Sequence, residues 1–560
     1  MMNYNVDENG YTIRVEKNKI IAYFNCKLVE VTEYCDFNNT TLYKEYKVEF
    51  RTTEFITEKE ISDKELNSFD YDGFDDRLLT VPNIKNVKKE LAFHIKSQVK
   101  NALYTKAIIF EQLGWHSNKN GVHCYCAGNK IISTEKINDY VIKKSISEKY
   151  RLEIDKNLNE RYAVQSLIKA MNISVKYTSV IVVNAFVGIM RQPLLDAYIH
   201  IPSVLYIQSN SQMGKTSVVI FCTRLYNRLS LRSDPDVCLT RVNSTLFSSE
   251  QMMSEPKDTT FILDDFYKET DKNQDRANRA TLINAVRNFA DNTPRATART
   301  KHEINSQLII TAERLIPDIT NLGRCMVICV EDNLINNEYK KMLENPLELS
   351  TGYYYFIKWL CKNYDKIVKI LSEEYKKFEC GNDSSYKFKR FSEEAFILKL
   401  VLNIFLKYAL EINAIDEANR ISTMNIFEDI ISEHFSKQDE IMSCIIKDES
   451  KHFNFSAELV RMIKSEKIIV GYDGDDCFEK NNNYYLRCEY FGKALYKQYG
   501  RTFSSKEIAK YFASKYISKI TDDKNVKKYK NNKNYLVLRI AELNKDALDK
   551  SYEIRNKFFN

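Results

Sequence analysis

The segment from Val204 to Tyr226 reads VLYIQSNSQMGKTSVVIFCTRLY. Its first residues, through Gln208, form a short apolar run of the kind that fills a buried strand, and its last residues recur at helical spacing from Lys215 onward. Between them Ser209, Asn210, Ser211, Gln212, Met213, Gly214, Lys215 and Thr216 spell SxxxxGKT, one residue away from GxxxxGK[ST]. That pattern serves phosphate binding. Successive backbone N–H groups wrap the anion, and the helix N-terminus adds positive potential. Lys215 is expected to reach the β and γ phosphates of ATP, and Thr216 to coordinate Mg2+. Ser209 stands where the pattern has its first glycine, which eases the turn out of the strand. The tripeptide GKT alone is weak evidence; a strand before it, a helix after it and acids downstream give it weight.

Those acids lie in TTFILDDFYKE, where Thr260 to Leu263 read as a strand with Asp264 and Asp265 at its tip. Two carboxylates at the end of a buried strand need a cation. Asp264 is expected to bind magnesium and Asp265 to orient the attacking water, although motors of this kind more often carry the longer Glu there. A pair capping the next helix is the alternative. Further on, SQLIITAERL is another apolar strand with Thr311 and Glu313 at its polar end, and Thr311 is the candidate for sensing the γ phosphate. Transition-state charge also calls for a cation from a neighbouring subunit or a lid. Arg295, Arg299, Arg324 and Arg390 are available, and Arg324 in NLGRCMVICV is selected as the finger.

Working outward, 560 residues exceed one ordinary core. Residues 1–85 alternate apolar and polar side chains through Tyr11 to Phe55, a β-rich N-terminal module. Residues 86–192 mix a helix, glycine-punctuated short strands and further helical spacing. The α/β nucleotide-binding core takes 193–332, with strands and helices alternating as in a parallel sheet. A helical lid or follow-on domain takes 333–433, and a basic domain with a helix followed by a two-stranded wing takes 434–560. No fixed-period repeat is present.

Net charge is +7: residues 501–560, with 15 Lys plus Arg against 7 Asp plus Glu, carry +8, and the first 500 residues sum to −1. Lys506, Lys510, Lys527, Lys528 and Lys530 are therefore candidates for neutralising nucleic-acid phosphates, with a solvated lysine-rich surface as the other reading. His116, His123, Cys124 and Cys126 cluster in sequence. On a strand, however, His123 points away from both cysteines and no second CxC completes a zinc set, so core packing is favoured. Thirteen scattered cysteines, a polar N-terminus and the interruption of the longest apolar run by Asn184 predict a cytoplasmic protein with no membrane span.

With these residues in hand, the chain resembles the domain-of-unknown-function 927 family, helicase-like ATPases of mobile elements and prophages that include the cassette-chromosome helicases. The resemblance runs from about residue 85 to the end. It rests on LGWHSNKNGVHCYCAGNKII, the GKT loop, FILDDF, LIITAERL, GRCMVI, STGYYYFIKWL and the KRFSEEAF helix. It implies an AAA+ motor with an α/β P-loop core, β-rich N-terminal domain, helical follow-on and C-terminal winged-helix-like domain. It also implies a hexameric ring acting on single-stranded or forked DNA during replication. Ser209, Asp265 and the scarcity of glycines depart from that family. The second hypothesis is a nucleotide-switched DNA-binding assembly or regulatory ATPase without unwinding activity, and a small-molecule kinase is a third, for which no acceptor motif is apparent.

Overall fold

The computed structural model describes residues 4–6, 12–14, 19–68, 87–226, 238–244, 246–292, 295–296, 301–316, 318–381, 389–450, 455–473, 475–499, 503–514, 526–528 and 534–547. Five strands form the central sheet: β1 (Val204–Gln208), β2 (Leu239–Arg241), β3 (Lys257–Phe266), β4 (Asn305–Ala312) and β5 (Cys325–Cys329). Their order is β2-β3-β4-β1-β5 and every pairing is parallel. The interior strands are apolar almost throughout because helices cover a parallel sheet. Helix Val175–Ile189 is buried nearly along its whole length and packs on β3, β4 and helix Lys215–Cys222. Gly188 permits this: a Cβ there would stand 2.7 Å from the Thr259 carbonyl oxygen.

The alternation of the N-terminal module becomes a five-stranded sheet. Its antiparallel strands Asn25–Cys35, Thr41–Arg51 and Ile56–Ser62 are extended by Leu103–Phe110 and Tyr140–Ile142, both added in parallel. A separate meander comprises Gly114–Ser117, His123–Cys126 and Ile131–Ser133. This meander shares one continuous apolar core with the central sheet and the helices, running from Leu113 to Met442. The five-stranded sheet has its own core around Val31, Val48 and Ile95.

Where the meander meets the sheet, a buried carboxylate makes the junction. Asp258, near the start of β3, has left-handed backbone (φ 53°) beside a break in register. Its Oδ2 accepts the Trp115 N–H at 2.9 Å, its Oδ1 accepts the Gln192 N–H at 3.1 Å, and its carbonyl accepts the Tyr125 hydroxyl at 2.7 Å. Burial pushes this carboxyl upward, against the opposing pull of Lys257, the Trp115 N–H and Arg191.

After the sheet come helices Leu347–Cys380, Lys389–Glu411 and Glu417–Ser450, the last spanning the expected boundary at 433/434. Gln438 on this last helix lies along the outer edge of β5. Its Oε1 accepts the Val327 N–H at 2.9 Å, and its Nε2 donates to the carbonyls of Cys325 at 2.7 Å and Leu322 at 3.2 Å.

The C-terminal region has an independent core from Phe455 to Leu543. Its antiparallel sheet runs Cys477–Lys480, Asn483–Leu486, Asn534–Arg539, Val526–Lys528, with helices Cys488–Tyr499 and Ser505–Ser514 inserted in sequence between the second strand and the last hairpin. The segment IIVGY, which reads as a strand, contributes only an isolated bridge from Gly471 to Phe478. Its backbone turns instead, with the Tyr472 N–H donating to Asp475 at 2.7 Å. No helix among the described residues is long and apolar enough to cross a membrane, and the cysteines described are free thiols.

Candidate functional site

The loop between β1 and helix Lys215–Cys222 sits at the carboxyl end of the sheet. Left-handed backbone occurs in it only at Gln212 (φ 66°) and Gly214 (φ 76°). Ser209 has no such conformation, so a serine costs no backbone strain where the motif has glycine. The Ser209 N–H donates to the Ala312 carbonyl at 3.1 Å, which ties the start of the loop to β4. Gly214 cannot be replaced so cheaply, because a Cβ there would lie 2.6 Å from Ile335 Cγ1. No side chain caps the helix that begins at Lys215, which leaves its first N–H groups for an anion.

Lys215 is nearly buried, and its Nζ donates to the carbonyls of Ser209 and Asn210, both at 2.9 Å. Burial lowers its pKa, while Glu313, then Asp264 and Asp265, pull it back up. Thr216 Oγ1 donates to Asp264 Oδ1 at 2.7 Å, and the Thr311 hydroxyl donates to the same oxygen. The Thr311 oxygen also accepts the Asp265 N–H at 3.3 Å. The hydroxyls of β4 and of the loop thus converge on one carboxylate, and the adjacent acid hangs from the same threonine through its backbone.

Asp265 occupies a bulge: β3 slips register against β4 between Leu263 and Phe266, and Asp265 has φ 69°. A bulge redirects a side chain next to a site at a cost in local strain. Burial and the neighbouring Asp264 raise its pKa, opposed by Arg241 and Lys215. Lys215, Thr216, Asp265 and Thr311, together with the Ser211–Gly214 loop and Glu313, line a cleft of about 210 Å³.

The donor set fits magnesium. Among the described residues no group of three or more His, Cys, Asp or Glu could hold a metal on its own. Asp264 and Thr216 offer hard oxygen donors beside the Ser209–Gly214 loop, and Mg2+ is ordinarily held by one or two carboxylates plus substrate phosphates.

The structure separates Arg324 from this cleft. Arg324 precedes β5, and Cys325 pairs with Val204 at the opposite end of the sheet, about 16 Å along a five-residue strand. Its Nε donates to Asp291 at 3.0 Å and its Nη1 to the Thr320 carbonyl at 2.8 Å, while Arg390 reaches the same Asp291 at 3.0 Å. Within its own chain Arg324 belongs to this ion cluster. The backbone of Arg295 lies in a two-residue strand, and Arg299 is outside the described residues.

Helix Ser505–Ser514 presents Lys506 and Lys510 to solvent, and its start is capped by Ser504 Oγ accepting the Glu507 N–H at 3.1 Å. Lys527 and Lys528 lie on the strand Val526–Lys528; Lys530 falls outside the described residues. The histidines and cysteines of the meander go separate ways: Cys124 and Cys126 are core, His116 bonds the Gln112 carbonyl, and His123 lies between Ser117 and Asp365. Two site features escaped the sequence reading. One is Arg241, whose backbone pairs with Asp264; the other is the backbone anchoring of Glu313 described below. Both depend on strand order, which no local pattern carries.

No protein-family model matches the chain, and no curated protein matches it. Among solved structures it is similar to one described as SCCmec type IV Cch, active helicase, with 12% identity and a TM-score of 0.49 over 97% of this chain and 99% of that one.

Proposed function

We propose that this chain is an ATP-driven DNA helicase or translocase of a mobile genetic element or prophage, working in replication as a ring-shaped, hexameric oligomer built on an AAA+ core. The observation that supports the ATPase half is that Thr216 and Thr311, which line one cleft with Lys215 at the head of a parallel sheet, both bond Asp264. Lys215 is placed to exchange its two carbonyl partners for phosphate oxygens. Thr216 and Asp264 would hold Mg2+, which supplies charge neutralisation on the transferring phosphoryl group. Thr311 would keep both acids in register, with Asp265 lining the cleft.

The DNA half is supported by the C-terminal region. Its strand order and the helix preceding its hairpin suit a winged-helix-type domain, with Lys506 and Lys510 facing outward from that helix. Such cations position a duplex or single strand through phosphates without reading bases. In this reading Arg324 works in trans: its location at the far end of the sheet lets it serve a neighbour's cleft, not its own.

Phosphate release measured with and without single-stranded DNA tests the proposal, with Lys215→Ala as the control. DNA-stimulated release that disappears in the variant is expected. Strand displacement persisting in Lys215→Ala sinks the motor assignment; nucleotide-dependent assembly without DNA stimulation favours the switch reading.

A further inference from the structure

We infer that Glu313, rather than Asp265, is the carboxylate that orients and deprotonates the attacking water, an assignment that rests on the ATPase reading above. Glu313 follows the last residue of β4 and lines the same cleft as Lys215, Thr216 and Thr311. Its main chain is bolted to both neighbouring strands. Its N–H donates to the Phe266 carbonyl at the end of β3 (2.8 Å), and its carbonyl accepts from Gln208 Nε2 at the end of β1 (2.9 Å). The Cα is therefore fixed relative to the strand that bears Asp264 and to the strand that leads into the phosphate loop.

The side chain, by contrast, is open to solvent and has no hydrogen bond or ion pair among the described residues. Asp264 is occupied by two hydroxyls. Asp265 has a side chain one carbon shorter and springs from a left-handed bulge. A longer carboxylate on a fixed backbone, with solvent access, is better suited to reach a water in the cleft than the shorter acid next to Asp264.

The step balances simply. The water oxygen bonds to the γ phosphorus, and the bond from phosphorus to the β–γ bridging oxygen breaks with its electron pair left on the diphosphate. The water proton passes to the Glu313 carboxylate and from there to the released phosphate.

The test compares Glu313→Gln with Asp265→Asn in the full chain with Mg-ATP and single-stranded DNA. Three readouts are taken: phosphate release, affinity for a fluorescent ATP analogue, and the state of nucleotide recovered from filter-bound protein after acid quench. Glu313→Gln is expected to lose about 100-fold or more in turnover, keep its affinity within about threefold, and retain uncleaved ATP on the filter. Asp265→Asn is expected to lose less than about tenfold. A Glu313→Gln variant that turns over within about threefold of the parent, or an Asp265→Asn variant that is the more severely impaired, overturns the assignment while leaving the ATPase reading intact. A parent chain that binds no ATP overturns that reading, and the assignment with it.

Discussion

Replacing Thr311 with valine removes one buried hydroxyl and almost no volume, so its effect isolates two hydrogen bonds. The hydroxyl donates to the Asp264 carboxylate and accepts the Asp265 N–H at 3.3 Å. A bond to an ionised acceptor contributes about 1.5–3 kcal/mol, and a buried N–H left without a partner costs about 1–3 kcal/mol. The cleft admits water to the Asp265 end, so the second contribution is discounted and the expected loss of stability is about 2–3 kcal/mol. If the whole Asp264 bond is exerted on the transition state, the same energy corresponds to about a 10–150-fold fall in kcat. Lys215 and the backbone loop are untouched, so nucleotide affinity should move little. Steady-state phosphate release and nucleotide titration, run beside a thermal melt, provide the assay. Thr311→Ser, which restores the oxygen, should recover most of the rate. Turnover of Thr311→Val within about threefold of the parent, with an unchanged Tm, would refute the role given to this hydroxyl.

Gly114→Ala should destabilise the junction between the meander and the sheet by about 3–5 kcal/mol in urea unfolding, combining a left-handed penalty with loss of a charged hydrogen bond. Gly114 has φ 83°, and the new Cβ would stand 2.3 Å from Asp258 Oδ2, displacing the carboxylate from the Trp115 N–H; an unchanged midpoint would contradict the packing described. Burial pushes the Glu394 carboxyl up to about 8, with Ser203 opposing. Its folded pKa lies above its unfolded value, so the protonated form supports the fold below about pH 4.5 and that support fades as pH rises toward 8. Glu394→Gln should therefore gain in Tm relative to the parent between pH 5 and 8, and a constant difference across that range would argue against a neutral Glu394.

Much of the geometry of the cleft was legible in the chain because it is local. The strand into Gln208, the GKT turn and the helix after it follow one another within a few residues, and Asp264 and Thr311 each end an apolar run. What the chain could not display is adjacency. That β4 lies between β1 and β3, bringing Thr311 onto Asp264, is a property of long-range pairing. The same limitation hid the distance of Arg324 from its own cleft, since parallel register, not sequence separation, assigns it to the other end of the sheet. Ser209 looked like a defect only because a consensus glycine suggests positive φ, and this backbone has none there. The turn at Gly471 misled for the opposite reason: its β-prone side chains occupy a segment whose hydrogen bonds close on Cys477 and Asp475.

Gln438 bears on how copies of this chain could meet. A carboxamide offers a donor and an acceptor in nearly the geometry of a peptide group, and here both face the outer rim of β5 as one unit of a missing sixth strand would. The opposite rim, β2, is only three residues long. Among the described residues, neither border of the central sheet presents a ladder long and open enough for another chain to zip onto. Copies of this chain would then meet through surfaces other than the borders of the central sheet, leaving its backbone ladder unshared.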